Sequence, residues 1–368
     1  MQWTRGHRHA WWRARGPRAI DRERSEQQAF GRAQPPFGFR MRLLPTLTIA
    51  SALLCASTGC GVLNLLPGRT IHQKFGWKAE DYFADPKVIA LCRAIEANDL
   101  AEMERLVKAG ADVNAQGKGK MTPLLWAYPD NRLPRFRWLL EHGADPNVVI
   151  ESDFNSHGYL SPGKSVTLIV CWTSFPGYFD AVFDHGGDPN HPYSGRLLAY
   201  GPPLSSVVKA LGREPEEKLK QVKRLIALGA DMNALTPDAT PVMEAVARAG
   251  QFDLALTMLE AGADFRMYMD DERKRLIHLV AMEEDRLDEY SPEKRAQFRA
   301  LVKWLEDRGE SYEEAKADLA RWASWGRASG EYDQKMAAEI AERKARDKAA
   351  SAIDPKKPSE PTDAADSR

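Results

Sequence analysis

Apolar residues recur at helical spacing through the middle of this chain, in short amphipathic segments that each end at a glycine. Segment 106–112 is typical, because apolar residues precede Gly110 and a polar residue, Asp112, follows it. A glycine just past a helix adopts the left-handed backbone conformation at little cost, since it has no Cβ. The pattern therefore predicts a series of short helices, each closed by a glycine and a tight turn.

The phrase that closes these helices occurs five times. Its aspartate stands at positions 112, 145, 188, 231 and 264, so the spacings are 33, 43, 43 and 33 residues. A base period of 33 residues with longer loops in two units predicts a stacked repeat. In such an architecture no unit buries its own apolar face, and neighbouring units must stack to form the core.

Polar residues also mark where the helices begin. Thr-Pro at 122–123 and again at 240–241 predicts a helix start, with the threonine as N-cap and the proline in the first turn. Asp99 and Glu102 have the spacing of a capping box, which predicts the second helix of the first unit. Each unit is thus predicted to be a helix, a short turn, a second helix and an extended loop, called a finger.

Two of these helix starts resemble a known repeat. Met-Thr-Pro-Leu-Leu-Trp-Ala at 121–127 and Ala-Thr-Pro-Val-Met-Glu-Ala at 239–245 are similar to the opening half of the ankyrin repeat. The resemblance implies an all-α ankyrin-repeat solenoid, in which a helix-turn-helix is followed by a β-hairpin or loop finger. It implies five to six repeats over residues 86–310.

A signal-like segment precedes the repeats. Segment 41–59 has a basic residue near its start, an apolar run and small residues in front of Cys60. The apolar run is too short to span a bilayer, which needs about 20 residues, so the segment is interpreted as a secretory signal peptide. Ser-Thr-Gly-Cys resembles a bacterial lipobox, which implies cleavage before Cys60, lipid attachment to its sulfur and a location on the periplasmic face of the outer membrane. The alternative is an ordinary signal peptide with an incidental cysteine.

Four further segments flank the signal and the repeats. Residues 1–40 are rich in Arg and contain three Trp; they are interpreted as translated upstream sequence, with a basic arm that binds nucleic acid or membrane as the alternative. Residues 60–85 are predicted to be a tether whose aromatic residues dock on the first repeat. Residues 311–350 are predicted to form a capping helix and solvated helical sequence, and residues 351–368 a disordered tail.

The charge balance argues against a nucleic-acid partner. The whole chain has 52 basic and 52 acidic residues, and removal of residues 1–59 leaves 42 basic against 49 acidic. Proteins that bind nucleic acid carry clustered positive charge. The predicted mature chain is instead mildly acidic, so no nucleic-acid partner is expected.

Motifs for catalysis or metal binding are absent from the sequence. It contains no His-Glu-x-x-His, no Gly-x-Ser-x-Gly and no phosphate-binding loop. His142 and His185 precede helix-ending glycines, where a cation suits the helix dipole, so a structural role is predicted for both. Cys92 and Cys171 fall in different units and are predicted to be core residues. No catalytic residue, metal ligand or cofactor is expected.

Aromatic residues cluster in the second and third units and in the fingers beside them. First helices and fingers line the concave face of ankyrin arrays, and aromatic residues are enriched at interface hot spots. The long fingers at 150–165 and 189–201 are predicted to add specificity, while part of the aromatic cluster is expected to belong to the core. The predicted partner-binding residues are Trp126, Phe154, Tyr159, Trp172 and Tyr193.

The order of signal, lipid cysteine and repeat array resembles bacterial ankyrin-repeat lipoproteins. Some of these serve as immunity proteins that block toxins directed to the periplasm. The resemblance implies a monomeric, non-catalytic lipoprotein that binds a protein partner and attaches to the membrane through its lipid. The alternative is a periplasmic enzyme or metal-dependent accessory factor with its site in the finger insertions, where His157 and His191 lie.

Overall fold

The structure is a computed structural model. It describes residues 71–154, 156, 160–193, 201–210, 212–236, 239–247, 250–269, 274–324, 338–339, 341–342 and 345–346. The predicted signal peptide 41–59, the lipidation site Cys60 and the predicted tail 351–368 lie outside the described residues, as does Tyr159.

Helices in the described chain occur as six consecutive pairs, preceded by α1 (Ile71–Phe75) and followed by α14 (Tyr312–Ser324). The pairs are α2 (Pro86–Ala97) with α3 (Leu100–Lys108), α4 (Pro123–Ala127) with α5 (Leu133–Glu141), α6 (Val166–Trp172) with α7 (Tyr178–Asp184), α8 (Pro203–Lys209) with α9 (Pro215–Ala227), α10 (Pro241–Ala247) with α11 (Phe252–Glu260), and α12 (Leu276–Met282) with α13 (Pro292–Glu306). Three 3-10 helices span Ala79–Asp81, Lys118–Lys120 and Glu284–Glu289.

Neighbouring pairs stack through equivalent helices. Among the first helices, α2 packs on α4, α6 on α8, α8 on α10 and α10 on α12; among the second helices, α5 packs on α7, α9 on α11 and α11 on α13. Every residue of α8 is buried, so the core runs continuously from unit to unit. This confirms the predicted all-α ankyrin-repeat solenoid.

The fingers are loops in the part of the chain that the structure describes. No strand is assigned there, so the hairpin form of the finger that the resemblance allowed is not present in those residues. Isolated backbone hydrogen bonds join neighbouring fingers instead, as where the Glu151 amide donates to the Gly119 carbonyl at 3.0 Å. None of the helices in the described ranges is long and apolar enough to cross a membrane.

The closing phrase has the predicted local structure. Gly110 has a φ of +91° and Gly262 a φ of +105°, both in the left-handed region that favours glycine. Asp112 Oδ1 accepts a hydrogen bond from the Asn114 amide at 2.8 Å, which closes the tight turn. The histidines before Gly143 and Gly186 bond their own helices, as predicted from their position.

The caps follow the sequence prediction with one correction. Thr122 Oγ1 accepts from the Leu125 amide at 3.1 Å, so it is the N-cap of α4. Asp99 likewise accepts from the Glu102 amide at 3.0 Å at the start of α3. The side chain of Glu102 does not complete a capping box, however, because it forms a two-point hydrogen bond with Arg105 one turn further along.

The asparagine of the phrase joins one repeat to the next. Asn114 Nδ2 donates to the Gly143 carbonyl at 2.8 Å, and Asn114 Oδ1 accepts from the Asp145 amide at 2.7 Å. The same pair of bonds is made by Asn147 to Gly186 and Asp188, and by Asn190 to Gly229 and Asp231. The asparagines therefore link each repeat to the next in addition to following the turns. Each such pair of hydrogen bonds is called here a staple, and the series of asparagines is called the asparagine ladder.

Each end of the stack is covered by a different kind of structure. At the C-terminal end, α14 packs along α12. At the N-terminal end, residues 71–83, called here the N-terminal cover, lie on the first two repeats. Trp77 and Phe83 of this cover are buried among core residues. This part of the predicted tether is thus an integral part of the fold.

Candidate binding surface

Two of the predicted partner-binding residues belong to the core. Trp126, on α4, is fully buried, and Phe154, in the finger before α6, is only 3% exposed. The prediction that these two side chains contact a partner is therefore wrong for this structure. The reason is that residues 71–83 cover Trp126 and Phe154, so these two side chains have no surface left for a partner.

The N-terminal cover is held on Trp126 and Phe154 by rings and hydrogen bonds. The His72 ring stacks on Trp126 at 4.9 Å, and His72 Nε2 donates to the Trp126 carbonyl at 2.8 Å. Trp77 Nε1 donates to the Phe154 carbonyl at 2.6 Å, and its ring lies 5.4 Å from that of Trp126. Such buried, oriented aromatic contacts stabilise beyond their area alone.

The described residues of the finger 150–165 are also more buried than those of a specificity loop would be. Ser156 and Leu160 are buried, and Ser156 Oγ accepts from the Leu160 amide at 2.7 Å. Phe154 adopts a φ of +50°, an unfavourable conformation for a bulky residue that persists only where its surroundings fix it. Much of this insertion therefore completes the core beneath the N-terminal cover.

The other predicted residues have different positions. Trp172, the last residue of α6, and Tyr193, in the next long finger, are both half-buried. They retain surface that a partner could contact. Tyr159 lies outside the described residues and stays a prediction.

Trp172 begins a turn that presents aromatic residues at the edge of the array. This turn, residues 172–178, connects α6 to α7 and is called here the aromatic turn. Ser174 and Pro176 in it are exposed, and Phe175 is half-buried. The Phe175 ring lies 5.5 Å from each of the rings of Tyr128 and Tyr178, so it rests on buried aromatic residues while keeping one face at the surface.

Hydrogen bonds fix the backbone of the aromatic turn. Tyr128 Oη donates to Thr173 Oγ1 at 2.6 Å, and Thr173 Oγ1 donates to the Ile169 carbonyl at 3.2 Å. Gly177 has a φ of +78°, and a Cβ there would come within 2.7 Å of Leu133 Cδ2. The turn is thus fixed both by side-chain bonds and by a position that only glycine fills without displacement.

Arg213 locks the same turn from the following repeat. Its guanidinium donates to the carbonyls of Cys171 at 3.1 Å and Thr173 at 2.5 Å, and it also bonds Gln221. These carbonyls end α6 and would otherwise lack partners. Burial lowers the pKa of the Arg213 guanidinium from its usual range. No pattern in the sequence indicates which carbonyls this side chain reaches, because they belong to the preceding repeat.

Several buried titratable groups outside the aromatic turn have structural roles. Burial lowers the pKa of His191, and Lys218, whose pKa burial lowers to about 8, donates to the carbonyls of Val208 and Ala210 that end α8. Cys92 and Cys171 are buried free thiols, and burial raises the pKa of both. Within the described ranges, no three His, Cys, Asp or Glu residues are grouped as metal ligands.

Comparisons with solved structures find ankyrin-repeat domains. The ankyrin-repeat domain from Acinetobacter baumannii AYE is 18% identical with a TM-score of 0.44, and the match covers 57% of this chain and 96% of that one. The domain of Bcl-3 is 19% identical with a TM-score of 0.41 and coverage of 60% and 86%. That of human ASB11 is 17% identical with a TM-score of 0.39 and coverage of 62% and 85%.

These likenesses concern the fold alone. No protein-family model matches the sequence, and no curated protein is similar to it at a significant level. The same fold serves many unrelated roles, so what this chain binds has to be argued from the surface that it presents.

Proposed function

We propose that this chain is a non-catalytic protein-binding module that holds one protein partner on the aromatic turn. The observation that carries the proposal is the combination of aromatic exposure and rigidity at residues 172–178. Trp172 and Phe175 keep surface for contact, while Arg213 and Tyr128 fix the backbone beneath them. A preformed aromatic surface loses little conformational entropy on binding, which favours affinity.

The position of the turn supports a partner of protein size. The turn lies at the edge of the stack formed by the six described helix pairs. A partner that contacts Phe175 there therefore also contacts the neighbouring units. Tyr193, in the finger before α8, supplies a second half-buried aromatic side chain on the adjoining unit. Aromatic side chains are the kind of anchors that dominate protein interfaces.

The sequence before the array supports a location in a bacterial envelope. The signal-like segment 41–59 and the lipobox-like sequence at Cys60 fit a lipoprotein that is anchored on the periplasmic face of the outer membrane. Replacement Cys60→Ala tests this location, because it removes the sulfur that carries the lipid. Mass spectrometry that finds an unmodified Cys60 in the mature protein contradicts the anchor without affecting the binding proposal.

Because this location faces the periplasm, we propose a toxin directed to the periplasm as the partner. A rigid array held at the membrane can cover the active surface of such a toxin without chemistry of its own, as in the bacterial lipoproteins that the chain resembles in layout. Co-expression of the chain with toxins encoded beside it tests the idea. Survival that does not depend on the chain contradicts this partner while leaving other protein partners open to capture experiments.

The binding surface is tested by replacing the aromatic turn. We expect Trp172→Ser together with Phe175→Ser to raise the dissociation constant of the partner at least about thirtyfold, because a single hot-spot residue already contributes about 2 kcal/mol. The double variant Leu235→Ser and Met282→Ser is the matched control, since it removes exposed apolar residues outside the turn. Isothermal titration of the purified pair gives the constants. Equal affinities for both variants contradict the aromatic turn as the site.

A further inference from the structure

A second exposed cluster lies where the repeated phrase departs from its pattern. The phrase carries asparagine at 114, 147, 190 and 233, but the equivalent position in the fifth copy is Arg266. The next helix-ending glycine, Gly309, is followed by Glu310 and Ser311 instead of Ala-Asp, so the phrase does not recur there. Position 266 is therefore free of the structural role that fixes the asparagine in the earlier copies.

Four side chains of the last two repeats stack at this place. Phe265 and Arg266 follow α11, while Trp304 lies on α13 and Arg308 just beyond its end. The Phe265 and Trp304 rings are perpendicular, with centroids 5.5 Å apart. The guanidinium of Arg308 lies 3.7 Å from the Trp304 centroid, and that of Arg266 lies 4.9 Å from the Phe265 centroid. We call these four residues the arginine–aromatic cluster.

The two guanidiniums have donors to spare. In the described part of the chain neither Arg266 nor Arg308 forms an ion pair; Arg308 donates only to the Trp304 carbonyl, at 3.1 Å. A guanidinium that stacks on a ring keeps its edge open for two-point hydrogen bonding to a carboxylate. The nearby carboxylate of Asp307 is paired with Lys303 at 2.9 Å. The cluster thus offers positive, planar donors that the protein itself does not neutralise.

Apolar surface belongs to the cluster itself. Phe265 and Trp304 are half-buried, so part of each side chain stays exposed. Partly exposed aromatic rings with arginines stacked on them fit a segment that carries both a carboxylate and an apolar side chain. Arginine and aromatic residues are the types enriched at protein interfaces.

We propose that the arginine–aromatic cluster binds an acidic segment of a protein partner, with carboxylates on Arg266 and Arg308 and an apolar side chain against Phe265 and Trp304. This surface lies outside the aromatic turn and goes beyond the function proposed above. A protein segment fits better than an anionic membrane, because exposed Asp264 and Glu306 lie beside the arginines. A flat layer of phosphates would meet those carboxylates, whereas a single segment can avoid them.

Binding of a defined peptide to the full-length protein tests the proposal. The probe is a short fluorescein-labelled peptide in which glutamates alternate with leucines, and its counterpart carries glutamines instead. We expect fluorescence anisotropy to show binding of the glutamate peptide at least about tenfold tighter than that of the glutamine peptide. The double variant Arg266→Gln with Arg308→Gln should lose that difference, while Arg299→Gln, an exposed arginine of the same helix α13, should keep it.

The other results overturn the proposal. Equal binding by the double variant removes the arginines from the site, and failure of the wild-type chain to distinguish the two peptides removes carboxylate recognition. Binding only to phosphatidylcholine vesicles that contain phosphatidylglycerol, dependent on Arg266, makes this a membrane-facing surface instead. The variant Trp172→Ser with Phe175→Ser should bind the peptide normally. Failure of the aromatic turn as a partner site can therefore be distinguished from failure of the arginine–aromatic cluster as a peptide site.

Discussion

At each end of the array a buried histidine stacks on a tryptophan and faces an aspartate that is paired with an arginine. At the N-terminal end the histidine belongs to the cover: His72, in α1, stacks on Trp126 of the second repeat. Its Nδ1 lies 3.5 Å from Asp130 Oδ2, and Asp130 in turn bonds Arg135 at 2.7 Å. The cover therefore supplies one residue, and the repeats supply three.

At the C-terminal end these roles are exchanged. His278 belongs to α12 of the last repeat, while the cover helix α14 supplies Trp322, Asp318 and Arg321. The rings of His278 and Trp322 stack at 5.1 Å, and His278 Nε2 lies 3.3 Å from Asp318 Oδ2. His278 Nδ1 accepts from the Arg275 amide at 3.1 Å, so the neutral ring has a partner on both nitrogens.

The two arginines differ most. Arg135 is fully buried and donates to the Ile95 and Ala127 carbonyls as well as to Asp130, so it ties the first two repeats together. Arg321 is 43% exposed and pairs with Asp318 and Glu339. The arginine of the N-terminal arrangement thus belongs to the core, whereas the arginine of the C-terminal arrangement lies at the surface of the protein. The same residue types have different energetic weight because their burial differs.

Removal of the tryptophans should show the largest contrast between the ends. Trp126→Ala should cost about 3–5 kcal/mol of unfolding free energy, because it opens a cavity among fully buried residues. Trp322→Ala should cost about 1–2 kcal/mol, since a terminal helix can detach while the rest of a repeat array stays folded. Urea unfolding followed by circular dichroism gives both values. Equal losses would show that the C-terminal cover is as integral to the core as the N-terminal one.

Replacement of the arginines sharpens the same contrast. Arg135→Gln should cost about 3 kcal/mol, because it leaves Asp130 poorly paired in a buried site. Arg321→Gln should cost less than about 1 kcal/mol, as expected for a pair that water reaches. The difference should persist in high salt, which screens only the exposed pair. A salt-sensitive loss for Arg135→Gln would contradict its description as a core residue.

Local features of the fold were predictable from the sequence, and long-range ones were not. Gly110, the Thr122 cap and the turn at Asp112 are set by residues within one or two helical turns, so periodicity and spacing reveal them. The burial of Trp126 depends on His72, which is 54 residues away. No local pattern reports which segment will cover an aromatic residue, and the aromatic cluster was therefore interpreted as a partner site.

The candidate site shows the same division. Trp172 was identified from its place in the repeat, and it does keep exposed surface. Arg213, which fixes the aromatic turn, bonds a carbonyl 40 residues before it. Sequence spacing does not indicate this contact, because the residues between Arg213 and its target form a complete turn, helix, finger and helix. The bonds from Asn114 to the next repeat were also not predicted. An asparagine beside a tight turn is already accounted for by local hydrogen bonds, so its sequence context gives no reason to expect a partner in another repeat.

The asparagine ladder gives the smallest expected effect and relates the two ends to each other. Asn190 bonds both the Gly229 carbonyl and the Asp231 amide of the next unit, at 2.9 and 2.7 Å. Asn233, the last asparagine of the ladder, accepts from the Asp264 amide at 2.8 Å. Beyond it stands Arg266, so the final interface is held by packing and by α14 without a staple.

We therefore expect Asn190→Ala to cost about 1–2 kcal/mol and Asn233→Ala about 0.5–1 kcal/mol, in proportion to the bonds each loses. Urea unfolding gives the totals, and amide hydrogen exchange at Asp231 and Asp264 shows whether the loss is local. Combining Asn233→Ala with Trp322→Ala should cost more than the sum of the single changes, because both weaken the same end of the stack. Asn190→Ala with Trp322→Ala should be additive. Additivity in both pairs would mean that the C-terminal cover does not compensate for the missing staple.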